Sequence, residues 1–236
     1  MSMKDDLRPA PVRIPGVVSG PAGREASVWE TNKVLRNTYL LLSMTLLFSA
    51  AMATVSMVAG APALPWYLTL GGMLGLLFAV HMTRNSGWGL VWVFAFTGFI
   101  GFMTGPVISM YLAFVPNGAQ MVALSLGGTG VIFAGLSGYA LTTRKDFSYM
   151  GGFLMAGVLI VIIGAVANIF LQITGLALAI SLMAVGIFSA LILYDTSRII
   201  NGGEDNYISA TVSLYLDIYN IFISLLHLTG MFGGED

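Results

Sequence analysis

Seven apolar stretches dominate this chain and set it apart from a soluble domain. From residue 37 onward, each stretch has about 20 residues or more, the length that an α-helix needs to cross the hydrocarbon core of a bilayer. Only 9% of the residues are charged, whereas an ordinary globular domain carries about 25%. A soluble fold of this size cannot bury so much apolar surface. The sequence therefore predicts an all-α, polytopic membrane bundle in contact with the lipid bilayer.

Turn-forming residues divide the apolar part of the chain into separate helices. The fourth connection contains the charged cluster Arg144-Lys145-Asp146, the fifth is predicted at Thr174-Gly175, and the sixth at Gly202-Gly203. The seven predicted transmembrane helices span residues 37–60, 64–83, 88–114, 119–143, 151–174, 176–200 and 208–232.

The N-terminal segment differs from the rest of the chain in composition. Residues 1–35 contain four prolines and several glycines, and they show no apolar periodicity. We therefore expect a flexible cytosolic tail at residues 1–35, followed by a seven-helix transmembrane domain at residues 36–236.

Basic residues occur on only one side of the predicted bundle. Six of the ten lie before residue 37, and the others are Arg84, Arg144, Lys145 and Arg198, in or beside the second, fourth and sixth connections. Because cytoplasmic loops carry an excess of Lys and Arg, this pattern predicts a cytoplasmic N-terminus. With seven helices, the C-terminus is then expected outside, in the periplasm.

Small residues recur within the predicted fourth helix. Gly130, Ala134 and Gly138 follow one another at intervals of four residues, which places them on one helix face. Such faces allow membrane helices to approach closely, so this one is predicted to pack against a neighbouring helix.

Two acidic residues lie within predicted transmembrane helices. Of eleven carboxylates, only Asp195 and Asp217 do so, and a carboxylate in the membrane is a functional hypothesis by default. The last two helices form an antiparallel hairpin, so the two acids are predicted to face each other and to share a proton or a cation such as calcium. Alternatively, Asp195 lies at the headgroup level and Asp217 bonds to a hydroxyl group.

The last predicted helix also carries a polar stripe. Its members recur at spacings of four, three, four and three, and they are Ser213, Asp217, Asn220, Ser224 and His227. Because such a stripe is costly in contact with lipid, we expect the last helix to be central in the bundle. Asn168 and Gln172 on the fifth helix are candidate polar partners. Helix packing alone is the alternative role for both groups.

Several other functional classes fit the sequence poorly. Gly135-Leu136-Ser137-Gly138 and His227 suggest a rhomboid-like protease, but the predicted topology separates Ser137 from His227 by roughly 15 Å in depth. No predicted transmembrane helix contains a lysine that could hold retinal, and the chain has no cysteine. No cofactor other than calcium, no nucleic acid partner and no enzymatic activity are expected.

Four motifs resemble the Bax inhibitor (transmembrane Bax inhibitor motif) family. They are FAFTG at residues 94–98, LTTRKDFS at 141–148, LYDT at 193–196 and SLYLDIYN at 213–220. Within that family, residues 32–39 and 202–207 are most similar to the bacterial branch whose members modulate the membrane protease FtsH. The resemblance implies a bacterial inner-membrane regulator that binds FtsH and restrains degradation of membrane proteins.

The resemblance also implies an alternative function. Other members of the family are pH-sensitive calcium leak channels, with an aspartate pair on the sixth and seventh helices and an arginine near the end of the second. Asp195 and Asp217 match that pair, and Arg84 matches the arginine loosely. In this alternative, Arg84, Ser213, Asn220, Ser224 and His227 serve as gate or polar lining for a cation pathway.

Overall fold

The computed structural model describes residues 32–233, in which long helices account for nearly all of the chain. Their bounds are α1 Lys33–Val58, α2 Trp66–Thr83, α3 Trp88–Phe114, α4 Gly118–Thr143, α5 Gly151–Leu171, α6 Thr174–Ile200 and α7 Tyr207–Phe232. A 3-10 turn at Ser148–Met150 leads into α5. All seven helices are long and apolar enough to span a membrane. The predicted all-α membrane bundle is therefore confirmed.

The fifth connection and the start of the first helix differ from their predicted positions. The fifth connection consists of Gln172 and Ile173, because Gln172 adopts a left-handed conformation with φ 52° and ends α5. Thr174 already belongs to α6. The predicted boundary at residue 35 falls inside α1, where Leu35 is fully buried. Residues 1–31 of the predicted tail lie outside the described residues.

Asparagine side chains mark where the first and last helices begin. The Asn32 Oδ1 atom accepts a hydrogen bond from Leu35 N at 3.0 Å, and Asn206 Oδ1 accepts from Ile208 N and Ser209 N at 3.0 Å each. Each side chain therefore satisfies backbone N–H groups that have no partner within the first helical turn. Asn32 Nδ2 also donates to Ile199 O at 2.8 Å, which joins the start of α1 to the end of α6.

Helix α7 is the centre of the bundle, as the polar stripe predicted. It packs against α1, α2, α3, α4 and α6, and it has the largest buried fraction of the seven spans. In its first half, Tyr215 is fully buried and packs edge-on against Phe96 of α3. Helix α5 packs mainly against α6, at the edge of the bundle.

Close helix packing occurs on α3 and not on the predicted face of α4. A Cβ atom at Gly98, Gly101 or Gly105 would collide with Phe48, Ser49 or Ser56 of α1. By contrast, a Cβ atom at Gly130 or Gly138 would meet no atom of residues 32–233 within 4 Å. The prediction that these two glycines pack against a neighbour is wrong, because a four-residue spacing identifies a smooth face without specifying what covers it.

Candidate functional site

The two membrane-embedded carboxylates lie on neighbouring helices and interact electrostatically. Asp195 lies five residues before the end of α6, and Asp217 lies ten residues after the start of α7. At 1.5 Å per residue, these positions are about 8 Å and 15 Å from the respective helix ends. The antiparallel α6–α7 hairpin therefore brings the two acids together on the side of the bundle where α1 begins.

Asp217 is the more deeply buried of the two acids. Its side chain is 4% exposed, and its Oδ2 atom has no hydrogen-bond partner among the described residues. A buried carboxylate oxygen without a partner is costly, because the surrounding helices offer no substitute for water. The position is therefore suited to a proton, a cation or a water molecule.

Asp195 is half-buried and lies among more charged groups. It interacts electrostatically with Arg198 and Glu204 as well as with Asp217. Arg198 Nη2 and Glu204 Oε2 are 3.7 Å apart and form an ion pair at the end of α6. Asp195 thus interacts electrostatically both with this ion pair at the bundle surface and with the buried Asp217.

Three hydroxyl groups beside Asp195 form a small cluster that the sequence did not reveal. Thr196 Oγ1 lies 3.3 Å from the Tyr39 hydroxyl and 3.5 Å from Ser137 Oγ. Thr196 follows Asp195 directly in the chain, but no sequence signal places Tyr39 of α1 or Ser137 of α4 next to it. The cluster links α1, α4 and α6 at the residue that follows the acid.

The following residue, Ser197, attaches the loop between α4 and α5 to α6. Its Oγ atom accepts a hydrogen bond from Phe147 N at 2.9 Å and donates to Lys145 O at 3.1 Å. Two hydrogen bonds therefore attach the last part of α6, which carries Asp195, to the α4–α5 loop.

Only the middle of the polar stripe on α7 is buried. Asp217 and Ser224 are buried and Asn220 is partly buried, whereas Ser213 and His227 are exposed. Asn220 Nδ2 donates to Leu216 O at 2.7 Å, within its own helix. The five residues share a face, as the spacing predicted, but they do not form one continuous buried path.

The predicted polar partners on α5 do not reach the stripe. Asn168 Oδ1 accepts from Ile173 N at 3.0 Å and so stabilises the end of α5. Gln172 is exposed in the connection to α6. The prediction was wrong because α5 packs on α6 at the edge of the bundle and not against α7.

Arg84 lies at the start of α7, about two turns from Asp217. Its Nη1 atom is 3.4 Å from Ser209 Oγ, and its carbonyl oxygen accepts from Asn206 Nδ2 at 3.1 Å. Among residues 32–233, it makes no ion pair with Asp195 or Asp217. Its predicted role as a gate stays a prediction.

Within the described part of the chain, no three His, Cys, Asp or Glu side chains cluster as metal ligands. Two carboxylates supply at most about four of the six to eight oxygen ligands that calcium takes. A calcium ion at Asp195 and Asp217 would therefore also need backbone oxygens or water. The predicted cation site stays a prediction.

The rhomboid-like residues also have separate surroundings. Ser137 is buried, and its hydroxyl faces Thr196. His227 is exposed near the far end of α7, five residues before Phe232. The arrangement gives Ser137 a hydroxyl partner in place of a general base.

Comparison with known proteins identifies the family. The family model described as "Inhibitor of apoptosis-promoting Bax1" matches residues 31–234. A protein of Escherichia coli K12 named "Modulator of FtsH protease YccA" is 53% identical over 204 residues, which cover 86% of this chain and 92% of that protein. Its counterpart in Escherichia coli O6:H1, named "Inner membrane protein YccA", has the same identity and coverage.

A more distant relative extends the comparison. An uncharacterized protein of Pseudomonas aeruginosa is 49% identical over 207 residues, covering 88% of this chain and 93% of that protein. In each case the shared region includes most of both chains. The family match at residues 31–234 contains all seven helices described above. With the motifs and the seven-helix bundle in agreement, the chain belongs to the Bax inhibitor family.

Proposed function

We propose that this protein is an inner-membrane modulator of the FtsH protease, which binds the protease and restrains degradation of other membrane proteins. The main support is its likeness to the relative named "Modulator of FtsH protease YccA", which extends over most of both chains. The proposed role is regulatory and requires no catalytic turnover by this chain.

A lateral cleft offers a surface for a partner helix. It has a volume of about 440 Å³ and is lined by α1, α3, α4 and α7. Ala50 and Ala53 of α1 and Gly130 of α4 border it, and the lining is almost entirely apolar. Small residues let the backbones of membrane helices approach closely, so we propose that a transmembrane helix of FtsH packs here.

Affinity capture tests this proposal. The full chain is purified from bacterial membranes in mild detergent, and FtsH in the eluate is quantified. We expect FtsH to co-purify with the wild type and expect Ala50→Leu to reduce its recovery severalfold, because the larger side chain fills the cleft.

The matched control is Ala165→Leu, which adds the same atoms on an exposed position of α5. It should leave the recovery of FtsH unchanged. Absence of FtsH from the wild-type eluate would contradict the function, and equal recovery with Ala50→Leu would exclude the cleft as the binding surface.

A second candidate function is a pH-sensitive cation leak through the bundle. The observation that favours it is the buried Asp217 carboxylate, which interacts with Asp195 and has an oxygen without a hydrogen-bond partner in the described part of the chain. An isolated charge at this depth is costly, so the pair is suited to exchange between a proton and a cation such as calcium. Modulation of a protease and cation conduction are compatible in one protein.

Calcium flux into liposomes, measured across a pH series, tests this second function. If the acids form the gate, Asp217→Asn should remove most of the pH dependence, because the amide does not titrate. The exposed Asp205→Asn in the α6–α7 connection is the control and should behave as the wild type does. Identical flux curves for wild type and Asp217→Asn would rule out the gate.

A further inference from the structure

A second cleft lies between α2 and the start of α7, on the side of the bundle where α1 begins. Its volume is about 520 Å³. One wall is apolar and consists of Leu74, Leu77 and Phe78 of α2, whereas the end nearest the membrane boundary carries Arg84, Ser209 and Ser213. The cleft thus has an apolar part and a polar part at different depths in the membrane.

The polar end carries a positive charge, Arg84, that forms no ion pair among the described residues. Arg84 Nη1 has one polar side-chain contact, the Ser209 hydroxyl at 3.4 Å, and no carboxylate lies within ion-pair distance of it in residues 32–233. Because guanidinium groups bind phosphate and carboxylate oxygens in pairs, a free Arg84 favours an anionic ligand.

A carboxylate also borders this cleft, but it has partners of its own. Glu204 Oε2 lies 3.7 Å from Arg198 Nη2, and Glu204 Oε1 accepts a hydrogen bond from Asn206 N at 3.1 Å. Arg198, which also interacts with Asp195, therefore offsets part of the charge of Glu204, and within residues 32–233 Glu204 forms no ion pair with Arg84. The positive charge of Arg84 remains for a ligand to balance.

The length of the cleft matches one leaflet of a bilayer. Leu74 and Arg84 are ten residues apart along α2 and its end, which corresponds to about 15 Å. This is half of the hydrocarbon core, which is about 30 Å thick. The side chains of Leu74 and Phe78 are 53% and 64% exposed, so the apolar wall is open to lipid chains.

We propose that this cleft binds one anionic phospholipid. The guanidinium of Arg84 and the hydroxyls of Ser209 and Ser213 bind the phosphate, and one acyl chain lies against Leu77 and Phe78. A headgroup with a net negative charge balances Arg84, whereas the ammonium of a zwitterionic headgroup would leave the cleft with a net positive charge. The lipid would also join α2 to α7, between which the protein itself makes few contacts.

Native mass spectrometry of the full chain tests the proposal. The delipidated protein is titrated with phosphatidylglycerol, with phosphatidylcholine of the same acyl chains, and with inorganic phosphate. We expect the wild type to bind phosphatidylglycerol more tightly than phosphatidylcholine. Arg84→Gln should weaken phosphatidylglycerol binding on the order of tenfold, because the loss of a hydrogen bond to a charged group typically reduces affinity by about this factor.

The matched control is Lys145→Gln, which removes an exposed positive charge on the same side of the bundle. It should retain the preference for phosphatidylglycerol. Ser213→Asp provides a second variant, because it places a negative charge in the cleft while Arg84 stays intact, and it should weaken binding as Arg84→Gln does. Melting temperatures without lipid show whether each variant is folded.

Three results would overturn the proposal. The first is an equal loss of phosphatidylglycerol binding in Arg84→Gln and Lys145→Gln, which would indicate attraction to the basic surface as a whole. The second is equal binding of the two phospholipids by the wild type. The third is full competition by inorganic phosphate, which would indicate a phosphate site that does not need the lipid chain.

Discussion

The absence of a single side chain at Gly101 allows α1 and α3 to pack together. A Cβ atom there would collide with the carbonyl oxygen of Ser49, which is backbone and has little freedom to move. Nearby, the Ser49 hydroxyl and the Tyr215 hydroxyl are 2.7 Å apart, so the same turn of α1 also contacts α7. One glycine therefore influences the packing of three helices.

We expect Gly101→Ala to destabilise the bundle. Overpacking typically lowers the free energy of unfolding by about 1–3 kcal/mol. We expect a collision with backbone to fall at the upper end of that range. Thermal unfolding in detergent should show a lower melting temperature. Gly127→Ala is the control, because a Cβ atom there meets nothing within 4 Å, and it should leave the melting temperature unchanged or slightly higher. Equal melting temperatures for the two variants would contradict the packing argument.

At the scale of the helix, α7 illustrates what periodicity indicates and what it leaves open. The spacing of its polar residues correctly predicted that they share one face and that the helix is central. It did not predict that Ser213 and His227, toward the two ends of the stripe, are exposed. A helical period describes directions around the axis, whereas burial depends on how far the neighbouring helices extend along it.

Helix α2 shows a similar limit. With 18 residues it is the shortest of the seven helices, and it has the smallest buried fraction. Its apolar residues surround the whole axis, so the sequence does not distinguish the side that faces lipid from the side that faces α3. The cleft beside α7 forms because α2 packs mainly on α3.

At the scale of the whole molecule, the basic residues predict the orientation in the membrane. Asn32 donates a hydrogen bond to Ile199, which joins the start of α1 to the end of α6. Asn206 donates to Arg84, which joins the α6–α7 connection to the end of α2. These helix ends therefore lie on one side of the bundle. Positive residues are retained on the cytoplasmic side during insertion. We therefore expect that side to face the cytoplasm.

Single cysteines provide a test of orientation, because the chain contains none. Ala63→Cys lies in the exposed connection between α1 and α2, and Ser86→Cys lies in that between α2 and α3. In spheroplasts, a membrane-impermeant maleimide should label Ala63→Cys at once and Ser86→Cys only after permeabilisation. The reverse pattern would contradict a cytoplasmic N-terminus.

Local properties of the sequence were enough to predict the number and approximate bounds of the helices and the positions of the two embedded acids. These properties depend on the free energy of transfer of each segment from water to lipid. That free energy is a sum over the residues of the segment and does not depend on distant parts of the chain. The four motifs likewise indicated the family, because each is a run of neighbouring residues that can be recognised without knowledge of the fold.

The faces at which helices meet became known from the three-dimensional fold. It placed the close packing on Gly98, Gly101 and Gly105 and set Arg84 beside Ser209. Within residues 32–233 it also left Asp217 Oδ2 without a hydrogen-bond partner. Lipid is as apolar as the side chains, so no hydrophobic force selects which face of a helix is buried. Contacts then depend on shape and hydrogen bonds between segments that are distant in the sequence.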